Sequence, residues 1–216
     1  MSLTLIIGNK NYSSWSLRAW LLLREAGIEF EEERIALDEP GTADAIAKHT
    51  PAGRVPVLKF EDVAVWDSLA IAETVAERFP EKQLWPADDA ARAHARSISA
   101  EMHSGFTALR QQMPMNCRAM GRQVSLPDDL TADIDRVIAI WSDCERRYGG
   151  GWLFGQFSIA DAMYAPVVLR FRTYGIKLPD SARVFADRVL ESDAMQSWLA
   201  AAETEVEVIE ADEKGH

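Results

Sequence analysis

The sequence predicts an α/β half followed by an all-helical half, and three observations carry that expectation. Up to Pro80, short β-branched and apolar runs alternate with segments of helical period. Beyond Trp85 the apolar residues recur with the helical period alone. Between them Glu81-Lys-Gln-Leu-Trp-Pro-Ala87 has neither period and follows a proline, as a linker would. With 216 residues, 48% of them apolar, the chain can bury a core in each half. The expected boundaries are 1–80, a linker over 81–87, and a helical domain over 88–216.

In order, 3–7 reads as a strand, 16–26 as a helix stopped by Gly27, and 29–35 as a second strand. A short helix over 42–48 precedes two strands, 55–60 and 63–66, split by the turn-like Glu61-Asp62, and a helix over 68–78 closes the domain. This βαβαββα order, with a crossover helix and then a hairpin, is the thioredoxin-like arrangement. In the second half helices are expected over 88–113, 128–148 and 158–174, with two shorter ones within 181–205 and an acidic tail. Pro166 should kink its helix or sit in a buried bend, because it cannot donate to Ala162.

Pro56 lies inside the strand-like run Arg54-Val-Pro-Val-Leu-Lys-Phe60, where it removes a ladder donor. A cis Val55-Pro56 bond would turn the backbone of Val55 toward an extended peptide ligand; an edge-strand proline is the other solution. Eleven residues on, Asp67-Ser68 heads an apolar helix. Ser68 suits an N-cap, the helix N–H groups suit a carboxylate, and Asp67 suits an ammonium, so the pair fits an α-amino acid end group.

The turn before the first helix reads Asn11-Tyr-Ser-Ser-Trp-Ser-Leu-Arg18. Ser13 and Ser16 have the spacing of a redox cysteine pair, but a hydroxyl cannot exchange with a disulfide, so the domain would have to borrow a thiol. Lowering a thiol pKa by two units takes about 2.7 kcal/mol. A hydrogen bond to a charged group supplies roughly 1.5 to 3, and a helix N-terminus about 0.3 to 1. Plain capping and turn roles for Ser13, Ser14 and Ser16 are the competing reading.

A net charge of −11 argues against nucleic acid or an anionic membrane as partner. Cys117 and Cys144 have no metal-ligand spacing and suit a reducing compartment, so neither a metal nor a disulfide is expected. The N-terminus lacks a basic signal-peptide region and no run reaches membrane-spanning length, so the expected location is the cytoplasm.

Three stretches together, Ser13-Ser-Trp-Ser-Leu-Arg18, Thr50-Pro-Ala-Gly-Arg-Val-Pro56 and Asp67-Ser-Leu-Ala-Ile-Ala-Glu73, resemble the N-terminal half of a cytosolic glutathione S-transferase of the serine type. The chain is most similar to zeta and theta-like members. The zeta frame has Ser-Ser-Cys-Ser-x-Arg in the turn and Gln-Ser-Leu-Ala-Ile at the helix head, and here Trp15 replaces the Cys and Asp67 the Gln. Ser158-Ile-Ala-Asp161 resembles the family's capping box, which serves stability rather than catalysis.

The resemblance implies glutathione as co-substrate, a homodimer, and a detoxifying transferase acting on an electrophilic small molecule. It implies that Val55, before Pro56, pairs through its backbone with the cysteinyl part of glutathione, and that Asp67 and Ser68 hold the γ-glutamyl end. The zeta pattern points to Ser13 as thiolate donor and the theta-like pattern to Ser14, with Ser13 slightly ahead. Arg54 stands where the family often contacts glutathione, and His49 is a candidate for the glycyl end; a surface role is the alternative for both. The second substrate would lie between the halves. There His103, Phe106, Arg110 and Met113 share a helical face, with Tyr12 and Trp15 opposite, although such a stripe is more often core. Cis-trans isomerisation of a maleyl-type diketo acid, anchored by Arg110 or Arg118, is the enzymatic alternative, disfavoured by Trp15 and by Trp20 in place of a second Arg. A non-catalytic glutathione-binding module is the third reading.

Overall fold

The structure, a computed structural model, describes residues 2–215. β1 (Leu3–Ile7) pairs in parallel with β2 (Glu31–Arg34) and antiparallel with β3 (Val57–Phe60), which pairs antiparallel with β4 (Val63–Trp66). The sheet order is therefore β2-β1-β3-β4. β1 and β3 are its buried centre. The edge strand β2 is Glu-Glu-Glu-Arg and wholly exposed, a charged border that discourages pairing with another chain. The connecting helices are α1 (Ser14–Glu25), α2 (Thr42–Ala47) and α3 (Ser68–Arg78). The fold of this half is the thioredoxin-like one expected, including the cis Val55-Pro56 bond just ahead of β3.

The helical half comprises α4 (Asp89–Ser104), α5 (Thr107–Gln112), α6 (Asp128–Tyr148), α7 (Ile159–Thr173), α8 (Asp180–Glu191) and α9 (Asp193–Glu203). α7 is buried along nearly its whole length because it packs between α1, α4 and α8. It runs unbroken through Pro166 to Thr173. One continuous apolar core joins Leu5, Leu17 and Ile71 of the first half to Trp141, Tyr164 and Trp198 of the second. The segment 81–87 takes part in it: Leu84 and Trp85 are buried, and the Ile159 N–H donates to the Leu84 carbonyl at 2.9 Å. A free spacer would leave such side chains in water.

The continuous helix expected over 88–113 divides at Gly105. Phe106 has φ +57°, a left-handed conformation that ends α4 and starts α5 in a new direction. A Cβ on residue 105 would sit 2.8 Å from the Glu101 carbonyl oxygen. Gly105→Ala should therefore lower stability by about 1 to 3 kcal/mol, read from chemical denaturation; an unchanged midpoint would show the break to be soft.

α7 is anchored at its N-terminus by Asp161, a fully buried carboxylate. Its Oδ1 accepts from the Leu153 N–H at 2.8 Å, and its Oδ2 from the Ser158 N–H at 2.7 Å and the Ser158 hydroxyl at 2.8 Å. The expected capping box is thus present, and it fixes the helix that carries Arg170 toward α1.

Candidate active site

At the start of α1, Ser13 is the N-cap. Its hydroxyl donates to Ser16 Oγ at 2.8 Å and accepts from the Ser16 N–H at 3.4 Å, while Ser16 Oγ also accepts from the Gly8 N–H at 3.0 Å. Ser14 is bound differently. Its Oγ accepts from Arg170 Nη2 at 3.1 Å, and its own proton has no acceptor among the described residues. The two adjacent serines are thus chemically distinct, one closed into the turn and one facing the helical half.

The N-cap of α3 is Asp67, one residue before the Ser68 expected from sequence. The longer acceptor wins because Asp67 Oδ1 reaches two N–H groups, those of Leu69 at 2.9 Å and Ala70 at 3.2 Å. Asp67 has φ +77°, uncommon for a residue with a Cβ. Its Oδ2 lies 3.1 Å from His103 Nε2. Burial lowers the His103 pKa, so the neutral ring donates Nε2–H to the Asp67 carboxylate. Ser68 is left without a cap role: it is 2% exposed and its Oγ has no partner among the described residues.

Asp67 and Ser68 open on a cavity of about 440 Å³, lined also by Trp15, Ala52, Arg54, Val55, Pro56 and Trp66; Ser13 and Ser14 are not among its lining residues and stand beside it through Trp15. Because β3 begins at Val57, Val55 lies outside the ladder. The fold thereby brings to one wall three stretches that are remote in sequence. Trp15 joins this cavity to the helical half, with His103 edge-on at 5.3 Å and the Arg18 and Arg110 guanidiniums 4.3 and 5.0 Å from its ring centroid.

Other candidates lie elsewhere. Phe106 and Met113 are 6% and 0% exposed and belong to the core, where a helical apolar stripe most often goes. Tyr12 is buried, its hydroxyl donating to Glu213 at 2.7 Å and accepting from Arg118 at 3.0 Å. Arg118 also donates to the carbonyls of Glu205 and Glu207. It is thereby committed to the C-terminal segment rather than to the cavity. His49 pairs with Glu33 at 3.1 Å. Cys117 and Cys144 are buried thiols, both pushed up to about 12 by desolvation.

The acidic tail is a strap. Glu205 accepts from the backbone N–H of Lys10 at 2.7 Å and of Asn11 at 2.9 Å, so residues far along the chain hold the loop that carries the serines. Sequence reasoning missed Glu205, Glu213 and Arg170. The two glutamates look like any others in an acidic run, and Arg170 looks like one charge in an apolar helix.

Residues 12–78 match the family model for the glutathione S-transferase N-terminal domain, and residues 90–201 the model for its C-terminal domain. The chain belongs to the glutathione S-transferase family. It is 28% identical over 171 residues to rat (Rattus norvegicus) maleylacetoacetate isomerase, covering 76% of each chain. It is 24% identical over 183 residues to a stringent starvation protein A homolog of Pasteurella multocida, covering 83% of this chain and 82% of that one. The fold matches a crystal structure of a Burkholderia glutathione transferase homolog with bound glutathione, with TM-score 0.72 and 22% identity, over 94% of this chain and 99% of that one. Among the described residues no helix is long and apolar enough to cross a membrane.

Proposed function

We propose that the chain is a glutathione transferase whose cavity binds the tripeptide and adds its sulfur, as thiolate, to an electrophilic carbon. The observation that carries this reading is the pair at the head of α3. Ser68 presents a buried hydroxyl with no partner, and Asp67 a carboxylate at the cavity wall, beside the cis Val55-Pro56 bond. An unpaired buried hydroxyl costs free energy that a ligand carboxylate would recover. The Asp67 carboxylate suits the α-ammonium, Arg54 lines the same cavity, and the Val55 backbone, also at the cavity wall, suits pairing with the cysteinyl unit.

At the sulfur, the hydrogen bonding favours Ser14 over Ser13, because the Ser13 proton is donated to Ser16 and the Ser14 proton is uncommitted. Thiol ionisation breaks the S–H bond heterolytically, the electron pair stays on sulfur, and the proton passes to water. The thiolate then forms the C–S bond, either as a leaving group departs with its bonding electron pair or by addition to a double bond whose other carbon takes a proton from water. Thiolate stabilisation and positioning supply the rate.

Ser68→Ala tests the binding half. Glutathione affinity by calorimetry should fall about tenfold, while thermal stability holds or rises, since the hydroxyl has no partner among the described residues. Unchanged affinity would remove Ser68 from the site.

The maleylacetoacetate isomerase relative favours one second reading, glutathione-dependent cis-trans isomerisation of a diketo acid. Turnover of such a substrate without consumption of glutathione would establish it. Conjugation of a halo-nitroaromatic without isomerisation would discard it. We further propose a cytoplasmic homodimer, checked by sedimentation.

A further inference from the structure

Three arginines converge where the two halves meet, and none has an ion-pair partner among the described residues. Arg170 of α7, 5% exposed, donates through Nη1 to the Met113 carbonyl at 2.6 Å and through Nη2 to Ser14 Oγ at 3.1 Å. Arg18 of α1, 4% exposed, has Nε and Nη1 buried without any hydrogen-bond partner. Arg110 of α5 is half-buried, donates to the carbonyls of Met102 and His103, and leaves its Nε unpartnered. Arg18 and Arg110 both lie against Trp15, which is itself part of the cavity wall.

Buried cations without counter-charges are costly. Desolvation pushes Arg18 down to about 9 and Arg170 to about 10, and each guanidinium is further disfavoured by Arg110. The opposing groups in range are Asp67 of the α3 cap and Tyr164 of α7 around Arg18, Asp133 of α6 beside Arg110, and Asp212 of the strap with Tyr174 and Cys117 around Arg170. None of them is within ion-pair distance of one of these three guanidiniums, and Asp67 is already paired with His103, whose pKa is lowered by burial first and further by Arg18 and Arg110.

We propose that Arg170 is a positioning residue that orients Ser14 toward the sulfur of bound glutathione, and that Arg18, Arg110 and Arg170 form the cationic field that holds this sulfur as thiolate. The inference deepens the transferase reading and rests on it. Its geometry is specific. A serine hydroxyl has one proton; with Arg170 on its oxygen, that proton is free to point to an anion and is polarised toward it. No thiolate base is needed, since the surrounding charge alone shifts the equilibrium and water takes the proton.

The test is the ultraviolet thiolate absorbance of bound glutathione followed against pH, with binding measured first by calorimetry. In the unmodified protein the bound thiol should titrate well below free glutathione. Arg170→Met should raise its pKa by about one unit, about a tenfold change in the ionisation constant, and Arg170→Lys should recover part of the shift. Arg110→Gln changes a half-exposed residue that does not touch Ser14, so it reports on the field even where Arg170→Met does not fold; it should raise the pKa by a smaller amount. A bound thiol that titrates like free glutathione, or one unmoved in every folded variant, overturns the proposal and leaves the binding reading intact. No glutathione uptake at all overturns both.

Discussion

Replacing Asp161 with alanine is expected to destabilise the protein by about 3 to 5 kcal/mol. The carboxylate is fully buried and accepts three hydrogen bonds, so its removal strands the Leu153 N–H and both donors of Ser158. Those groups sit beneath the first turn of α7, and α7 packs on α1, α4 and α8, so the loss spreads across both halves. Denaturant titration would show a lower midpoint; a change under about 1 kcal/mol would mean that water replaces the carboxylate freely. Charge can be separated from hydrogen bonding by pH. Burial pushes the Asp161 carboxyl up to about 7, against 3.8 unshifted. A raised value means that the folded chain holds a proton the unfolded chain has released. Its contribution is therefore complete below 3.8 and lost as pH rises through about 7. Asp161→Asn cannot titrate, so the difference in stability between it and the parent protein should change across that window and be flat outside it.

Ser14→Ala should reduce kcat/KM for conjugation by about 10²-fold while leaving the fold intact, on the scale seen when one preorganised donor to a developing anion is removed. Ser13→Ala should do the reverse. It deletes the N-cap of α1 and the link to Ser16, costing about 1 kcal/mol of stability, and leaves the thiolate absorbance in place. The pair of variants is decisive because the residues are adjacent and equally buried, at 8% and 9% exposure, so burial cannot explain a difference between them. Loss of the thiolate signal in Ser13→Ala with its retention in Ser14→Ala would reassign the donor to Ser13.

Two lengths of chain show where sequence reasoning reached its limit. The run 88–113 has unbroken helical periodicity, and only the close approach of residue 105 to the Glu101 carbonyl and the left-handed Phe106 divide it. Periodicity measures which face is apolar, and both helices on either side of the break keep theirs. At 67–68 the sequence reading puts the N-cap at Ser68 and the structure puts it at Asp67, since either residue type can cap and only the backbone conformation says which one does. With the cap at Asp67, the Ser68 hydroxyl on the cavity wall is left without a partner among the described residues.

The order of strands and helices, the two halves and the family were determined by local patterns: alternation, helical period, a proline in a strand, and motifs in a fixed order. Such signals act over a few residues and survive without knowledge of the fold. What only the tertiary structure decided is where charge ends up. Glu205 reaches the backbone of Lys10 and Asn11, Arg170 reaches Ser14, and Arg18 is buried beside Trp15 rather than solvated. These contacts join positions up to 195 residues apart. A charged side chain carries no periodic signature of its partner, so its role is set by packing of the helices that bring it there.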